Sequence, residues 1–174
     1  DNDVYANDHA GLGVESGAVP LVRRNRFFDG KQAGVFYFDG GLGIFEDNEV
    51  YNNEDAGLQI TEASDPLVQR NKLRKQARPD KGKPHVPVGE RAPEASIAPP
   101  PKNGGDVRHK EIPPLWVHSG GFGRIEDNDI CSSDWHGVVI GSQAQPTLQN
   151  NRIHSNRKSG VFMQVRACAL RETP

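Results

Sequence analysis

Two groups of carboxylates, Glu46/Asp47/Glu49 and Glu126/Asp127/Asp129, are the first residues to test for chemistry, with Arg70 and Lys72 between them. Carboxylates of this kind can cage a divalent cation or serve as general acid and base, and a nearby Arg or Lys can take a proton. His118, His136 and His154 could ligate a transition metal, and Cys131 could act as a nucleophile. Phe36, Phe38, Trp116 and Phe162 offer flat apolar faces that dominate binding energy where they are exposed. Each possibility depends on which of these residues the backbone brings together.

The chain repeats itself every 23 residues. Asn2, Asn25, Asn48 and Asn71 keep this step, as do Asn128 and Asn151, and Gly11, Gly34, Gly57, Gly137 and Gly160 follow it on either side of a longer gap. Between Asn71 and Asn128 stand one repeat and 34 further residues, rich in Pro and charge. Superposed repeats show apolar-x-apolar after each Gly: Leu12/Val14, Val35/Tyr37, Leu58/Ile60, Leu115/Val117, Val138/Ile140 and Val161/Met163. That alternation marks a strand with one face inward. Two more inward columns are Val22, Phe45, Val68, Ile125, Leu148 and Val4, Phe27, Val50, Leu73, Ile130, Ile153. Small residues, Ala18, Gly41, Ser64, Gly121 and Ala144, hold one corner, and Pro or Gly follows two residues later.

Three short strands and three corners per 23 residues predict an all-β fold, a right-handed single-stranded parallel β-helix of about six rungs. A leucine-rich repeat of this period needs an apolar residue where Pro20, Gly43, Pro66, Gly123 and Pro146 stand, and is excluded. Asn2, Asn25, Asn48, Asn71, Asn128 and Asn151 are expected to form a structural amide ladder, each Asn adopting the left-handed corner conformation it tolerates. Charge alternates from rung to rung beside it: Asp1/Asp3, Arg23/Arg24/Arg26, Glu46/Asp47/Glu49, Arg70/Lys72, Glu126/Asp127/Asp129, then Arg152. The alternation continues across the long gap, so no rung is skipped there. Residues 1–76 and 114–174 are expected to carry the rungs, and 77–113 an inserted Pro- and charge-rich loop, flexible or folded back on the helix.

Stacking decides among the chemistries. The two acid groups are interleaved with Arg70 and Lys72, a poor cation cage, and carboxylates are nearly absent from outward strand positions. The three His fall in different columns and form no metal set. Cys131, in the column of Tyr5, Phe28 and Tyr51, has no base stacked on it and reads as a packing or corner residue. No catalytic residue, metal or cofactor is expected. What stands out is an outward column of Phe36, Gln59, Trp116, Val139 and Phe162, with Phe38 and His118 alongside, expected to be an exposed apolar stripe and a binding surface.

Pro20-Leu21-Val22-Arg23-Arg24-Asn25-Arg26-Phe27, Gly30-Lys31-Gln32-Ala33-Gly34-Val35, Glu46-Asp47-Asn48-Glu49-Val50-Tyr51 and Glu126-Asp127-Asn128-Asp129-Ile130 resemble the β-helix repeats of F-box-only protein eleven and its relatives. The resemblance runs over nearly the whole chain apart from residues 77–113. It implies a fold like that of carbohydrate-active enzymes used as the substrate-receiving domain of a cullin-RING ubiquitin ligase, and hence a protein partner. Neither an F-box nor the Cys/His-rich zinc module of that family is present in the 174 residues, and the chain opens at Asp1 in the middle of a rung, as a piece of a longer chain or complex would. Two alternatives remain: a carbohydrate-binding or carbohydrate-active protein, and an architectural repeat in a larger assembly.

Composition sets the outer bounds. Nineteen Gly and 13 Pro exclude a helix bundle. A net charge of −2 without a basic half argues against a nucleic-acid partner. No apolar run is long enough for a membrane helix, and the first residues form neither a signal nor a transit peptide. Two Cys with no zinc spacing fit a reducing, cytoplasmic or nuclear, compartment.

Overall fold

The computed structural model describes residues 1–74 and 112–164. Seventeen strands of two or three residues are arranged in three parallel sheets. Sheet A stacks Asp3–Tyr5, Arg26–Phe28, Glu49–Tyr51, Lys72–Leu73, Asp129–Cys131 and Arg152–His154. Sheet B stacks Leu12–Val14, Val35–Tyr37, Leu58–Ile60, Leu115–Val117, Val138–Ile140 and Val161–Met163. Sheet C stacks Leu21–Arg23, Ile44–Glu46, Leu67–Gln69, Arg124–Glu126 and Thr147–Gln149. The chain runs through B, C and A in every turn, so each strand meets only its equivalents above and below: an all-β parallel β-helix.

Register follows the repeat without slippage. Val35 pairs Leu12 and Leu58, and Val50 pairs Phe27 and Leu73, each 23 residues away. Across the long gap Leu73 pairs Ile130 and Leu58 pairs Leu115. The rungs on either side of residues 75–111 are therefore direct neighbours. The expected insertion falls almost wholly outside the described residues. Its last two residues do not behave as loop: Ile112 is buried, and the Pro113 carbonyl accepts from Gly57 N–H at 3.3 Å.

The three inward columns meet in one core. Val35, Tyr37, Phe45, Val50, Leu58, Ile60, Val68, Leu73, Leu115, Val117, Ile125, Ile130 and Val138 are fully buried. Such narrow coils leave no room for error at the corners. A Cβ on Gly41 would sit 2.3 Å from the Val14 carbonyl oxygen, and one on Gly34 would sit 2.6 Å from a Val50 methyl. One core group is out of place: the Tyr37 hydroxyl is buried with no hydrogen-bond partner, and burial raises its pKa far above the ordinary value.

At the corner between sheets C and A, Asn2, Asn25, Asn48, Asn71, Asn128 and Asn151 form a continuous amide ladder. Each side-chain NH₂ donates to the Oδ1 of the next Asn at 2.8–3.2 Å. The same Oδ1 accepts the backbone N–H of the Asn before it at 2.9–3.0 Å. The remaining amide hydrogen turns inward to a sheet C carbonyl, as from Asn71 to Phe45 at 2.8 Å and from Asn128 to Val68 at 2.9 Å. The inner four, Asn25, Asn48, Asn71 and Asn128, are buried and hydrogen-bonded, which is how a polar column can stand beside an apolar core.

The left-handed residue is not the Asn, as the sequence reading expected, but the one before it: Arg24, Asp47, Arg70, Asp127 and Asn150 have φ of 53–56°. The Asn side chain has to point inward to reach its neighbours, and turning the preceding peptide is what aims it there. The exposed residue thus takes the unfavourable backbone conformation while its polar side chain stays at the surface. Opposite charges meet across the rungs as the alternation requires. Arg70 bonds Asp47 at 2.9 Å and Glu46 at 2.6 Å, Arg23 lies 3.4 Å from Glu46, and Arg26 pairs with Asp3. A hydrogen bond from Gln69, then Arg70 and the charge of Arg23, hold the Glu46 carboxyl below its usual range; Arg70 does the same for Asp47.

Candidate functional site

The outward column of sheet B is in register throughout: Phe36 pairs Gln59, Gln59 pairs Trp116, Trp116 pairs Val139 and Val139 pairs Phe162. It is not the exposed stripe that the sequence suggested. Phe36, Phe38, Gln59, Trp116, His118 and Phe162 are half-buried and Val139 is buried. Side chains at outward positions lean on their neighbours instead of standing free. Phe36 stacks on Phe38 at 4.7 Å between ring centroids, Trp116 on His118 at 4.2 Å, and Phe162 on His136 at 4.3 Å with the rings nearly parallel. Trp135, with Lys158 Nζ 5.8 Å from its ring centre, extends the row beyond His136.

A cleft of about 330 Å³ opens in this row, lined by Trp116, His118, Ser119, Gly141, Ser142 and Gln164. It opens where one column lacks a side chain. His118, Gly141 and Gln164 occupy one column on three successive rungs, and a Cβ on Gly141 would lie 2.7 Å from His118 Cβ. No Cβ fits at residue 141 without a shift of His118, so this rung adds no side chain to the column, and Trp116 stands as one wall of the cleft. Ser119 and Ser142, which share the adjoining corner column, line the other side. Phe36, Phe38 and Phe162, expected to belong to the same surface, lie along the row but do not line the cleft.

His118 is fixed as a neutral ring. Gln59 Nε2 donates to His118 Nε2 at 2.8 Å, so the imidazole proton sits on Nδ1 and is given to Ser119 Oγ at 2.9 Å. Burial pushes its pKa below the ordinary value, against the charges of Asp55 and Glu62. The cleft thus presents an aromatic wall, hydroxyls, an amide and an uncharged imidazole, and among the described residues no carboxylate lines it. Paired carboxylates at a set spacing, which sugar hydrolysis requires, do not meet here. Such a lining can hold a ligand by stacking and hydrogen bonds.

Sequence reasoning missed Gly141, Ser119 and Ser142 as site residues. The signal was in the columns: Gly141 interrupts one that holds Phe38, Thr61, His118 and Gln164, and Ser119 recurs as Ser142 on the next rung. Trp135 was missed, and His136 was weighed only as a metal ligand, because both lie on a corner, outside the strand columns that were compared.

A second outward row runs along sheet A. Tyr5, Phe28 and Tyr51 stack at 5.2 and 5.1 Å, and Arg74, paired with Glu49, caps Tyr51 at 5.2 Å. The same column continues through Cys131 to His154, which pair in register. The expectation that no base stacks on Cys131 is therefore wrong. Residue 154 lies one repeat beyond 131, and comparing His only with His hid the neighbour of a different type. The three His themselves do stay apart, in separate columns.

The description "right handed beta helix region" belongs to the family model that matches this chain, over residues 1–79. Neither the curated proteins nor the solved structures compared with the chain gave a match. The matched residues supply the hand of the coil, and parallel crossovers between strands of one sheet take that hand almost without exception. Continuous register across the gap carries it through to Met163. The molecule is a right-handed parallel β-helix with a neutral, aromatic-walled cleft on sheet B.

Proposed function

We propose that this β-helix is a non-catalytic recognition scaffold that receives a protein segment along the outward face of sheet B, with the cleft beside Trp116 taking one of its side chains. The observation that carries the reading is the lining: stacking and hydrogen-bonding groups around a preformed gap, with no carboxylate of the kind hydrolysis or elimination would need among the described residues. The resemblance to the substrate-receiving β-helix of an F-box-type ubiquitin ligase favours a protein partner in the cytoplasm or nucleus. The row from Phe36 to Phe162 would lie under an extended segment while the cleft selects a residue.

A carbohydrate ligand is the second reading. Trp116 next to two Ser hydroxyls and the Gln164 amide is also what one sugar ring needs.

Peptide and oligosaccharide arrays probed with the wild-type chain and with Trp116→Ser and Phe36→Ser separate these readings. Retention of peptides, lost in both variants with the far-UV spectrum unchanged, supports the proposal. Capture unaltered by either substitution refutes the site. Retention of glycans alone supports the second reading, and turnover of any polysaccharide refutes a scaffold role.

A further inference from the structure

We propose that Asp129, Cys131 and His154 form a site for a divalent transition-metal ion of the zinc class on the outward face of sheet A. Asp129 and Cys131 are two apart on one strand, so both side chains leave the sheet on the same side. His154 is the ladder partner of Cys131 on the next rung. One ligating atom from each residue lies within 4.8 Å of the other two.

The donors suit the ion. Thiolate sulfur, imidazole nitrogen and carboxylate oxygen bind zinc at about 2.0–2.3 Å, which sets tetrahedral ligand atoms roughly 3.5 Å apart. The observed spacings are compatible with that value, since His154 Nε2 is 2.9 Å from Asp129 Oδ1 and the three ligand atoms all lie within 4.8 Å of one another. A second-shell partner is in place as well. Ser155, turned by a left-handed backbone conformation, sits with its Oγ 3.0 Å from His154 Nδ1. It holds the ring with Nε2 toward Asp129, as partners of metal-bound imidazoles do. Cys131 is buried, whereas Asp129 and His154 are each 37% exposed in their side chains and form the mouth through which an ion enters.

Binding displaces protons. The ion takes the Cys131 thiolate, whose proton passes to solvent, and the Nε2 lone pair of the neutral His154 ring, whose one proton then sits on Nδ1 and is donated to Ser155 Oγ. Three protein ligands leave a fourth position for water or a partner's donor atom. Lys72 and Arg152 flank Asp129 in the ladder, and Arg74, paired with Glu49, precedes Cys131 in its column. These cations weaken the attraction for the metal, so a dissociation constant in the micromolar range is expected, weaker than that of a closed four-ligand zinc site.

Cobalt(II) titration of the reduced, untagged chain tests this directly. Thiolate-to-cobalt charge-transfer absorption with one ion per chain, displaced by zinc, is expected; Cys131→Ser should abolish it and Cys168→Ser should keep it. His154→Gln and Asp129→Asn should each weaken binding at least tenfold, with far-UV spectra showing that all four variants fold. The proposal is overturned by absence of charge-transfer absorption at saturating cobalt, by its persistence in Cys131→Ser, or by unchanged affinity in both His154→Gln and Asp129→Asn. The sheet B cleft plays no part in this readout.

Discussion

The corner between sheets C and A and the outward face of sheet B are built from the same 23-residue step, yet they use it in opposite ways. At the corner every rung repeats the same Asn and only the sign of the charge beside it changes, because each amide must find an identical amide above and below. On sheet B the column reads Gly13, Phe36, Gln59, Trp116, Val139, Phe162, and a Gly interrupts the column next to it at Gly141. Repetition there would give a flat, featureless wall. Structure is maintained where the repeat is strict, and a cleft appears where it is broken.

Breaking the ladder should have the largest effect on stability. Asn71→Ala removes the acceptor of Asn48 N–H and the donor to the Phe45 carbonyl, both buried. A loss of about 2–4 kcal/mol in urea denaturation is expected, since each stranded buried group costs roughly 1–3 kcal/mol. A loss under about 1 kcal/mol would mean that the column is decoration.

Filling the cleft should act on recognition instead. Gly141→Ala puts a methyl group 2.7 Å from His118 Cβ, so His118 has to shift, and partner affinity is expected to fall at least tenfold, with the far-UV spectrum checking that the rungs persist. If Gly141→Ala binds as the wild type does, the gap is not the site. Sheet B also offers a substitution of the opposite sign: Tyr37→Phe deletes an unpartnered buried hydroxyl and should stabilise the chain by about 1 kcal/mol in the same denaturation assay.

The pH dependence should separate the two regions by position on the scale. His118 has a folded pKa below its unfolded value of 6.5, so the unfolded chain binds more protons and stability declines as pH falls below 6.5. Glu46 and Asp47 are depressed from 4.5 and 3.8, so their contribution is present above those values and disappears at lower pH. His118→Gln should remove the upper step alone, and Arg70→Gln should shrink the lower one. At neutral pH Arg70→Gln is the mildest change of all, barely moving the urea midpoint, because its ion pairs are partly solvated.

Reading the chain in columns makes the period, the three inward faces, the Asn ladder and the alternating charges visible before any coordinates, because each is a relation between residues one repeat apart. It fails at relations that run sideways. Whether Phe36 stands in solvent or folds onto Phe38, and whether Val139 is covered, depends on rotamers and on residues of adjoining columns. The left-handed Arg24 and Asp47 show the same limit: an Asn at a corner suggests that conformation for itself, and only its inward bonds reveal that the preceding residue must adopt it. The pairing of Cys131 with His154 was in principle readable, since one repeat separates them.

The amino-acid order alone determines that this chain coils in parallel rungs, which residues face inward and how the rungs are registered. A 23-residue step leaves a short strand no other equivalent partner, and a slip of one would turn the apolar columns outward. Only the tertiary structure decided that the outward aromatics lie half-buried, that a cleft opens beside Trp116 at Gly141, and that the His154 ring turns its Nε2 onto Asp129 beside Cys131. Those features depend on where side chains of unlike type come to rest against one another, and a pattern that compares like with like carries no information about that.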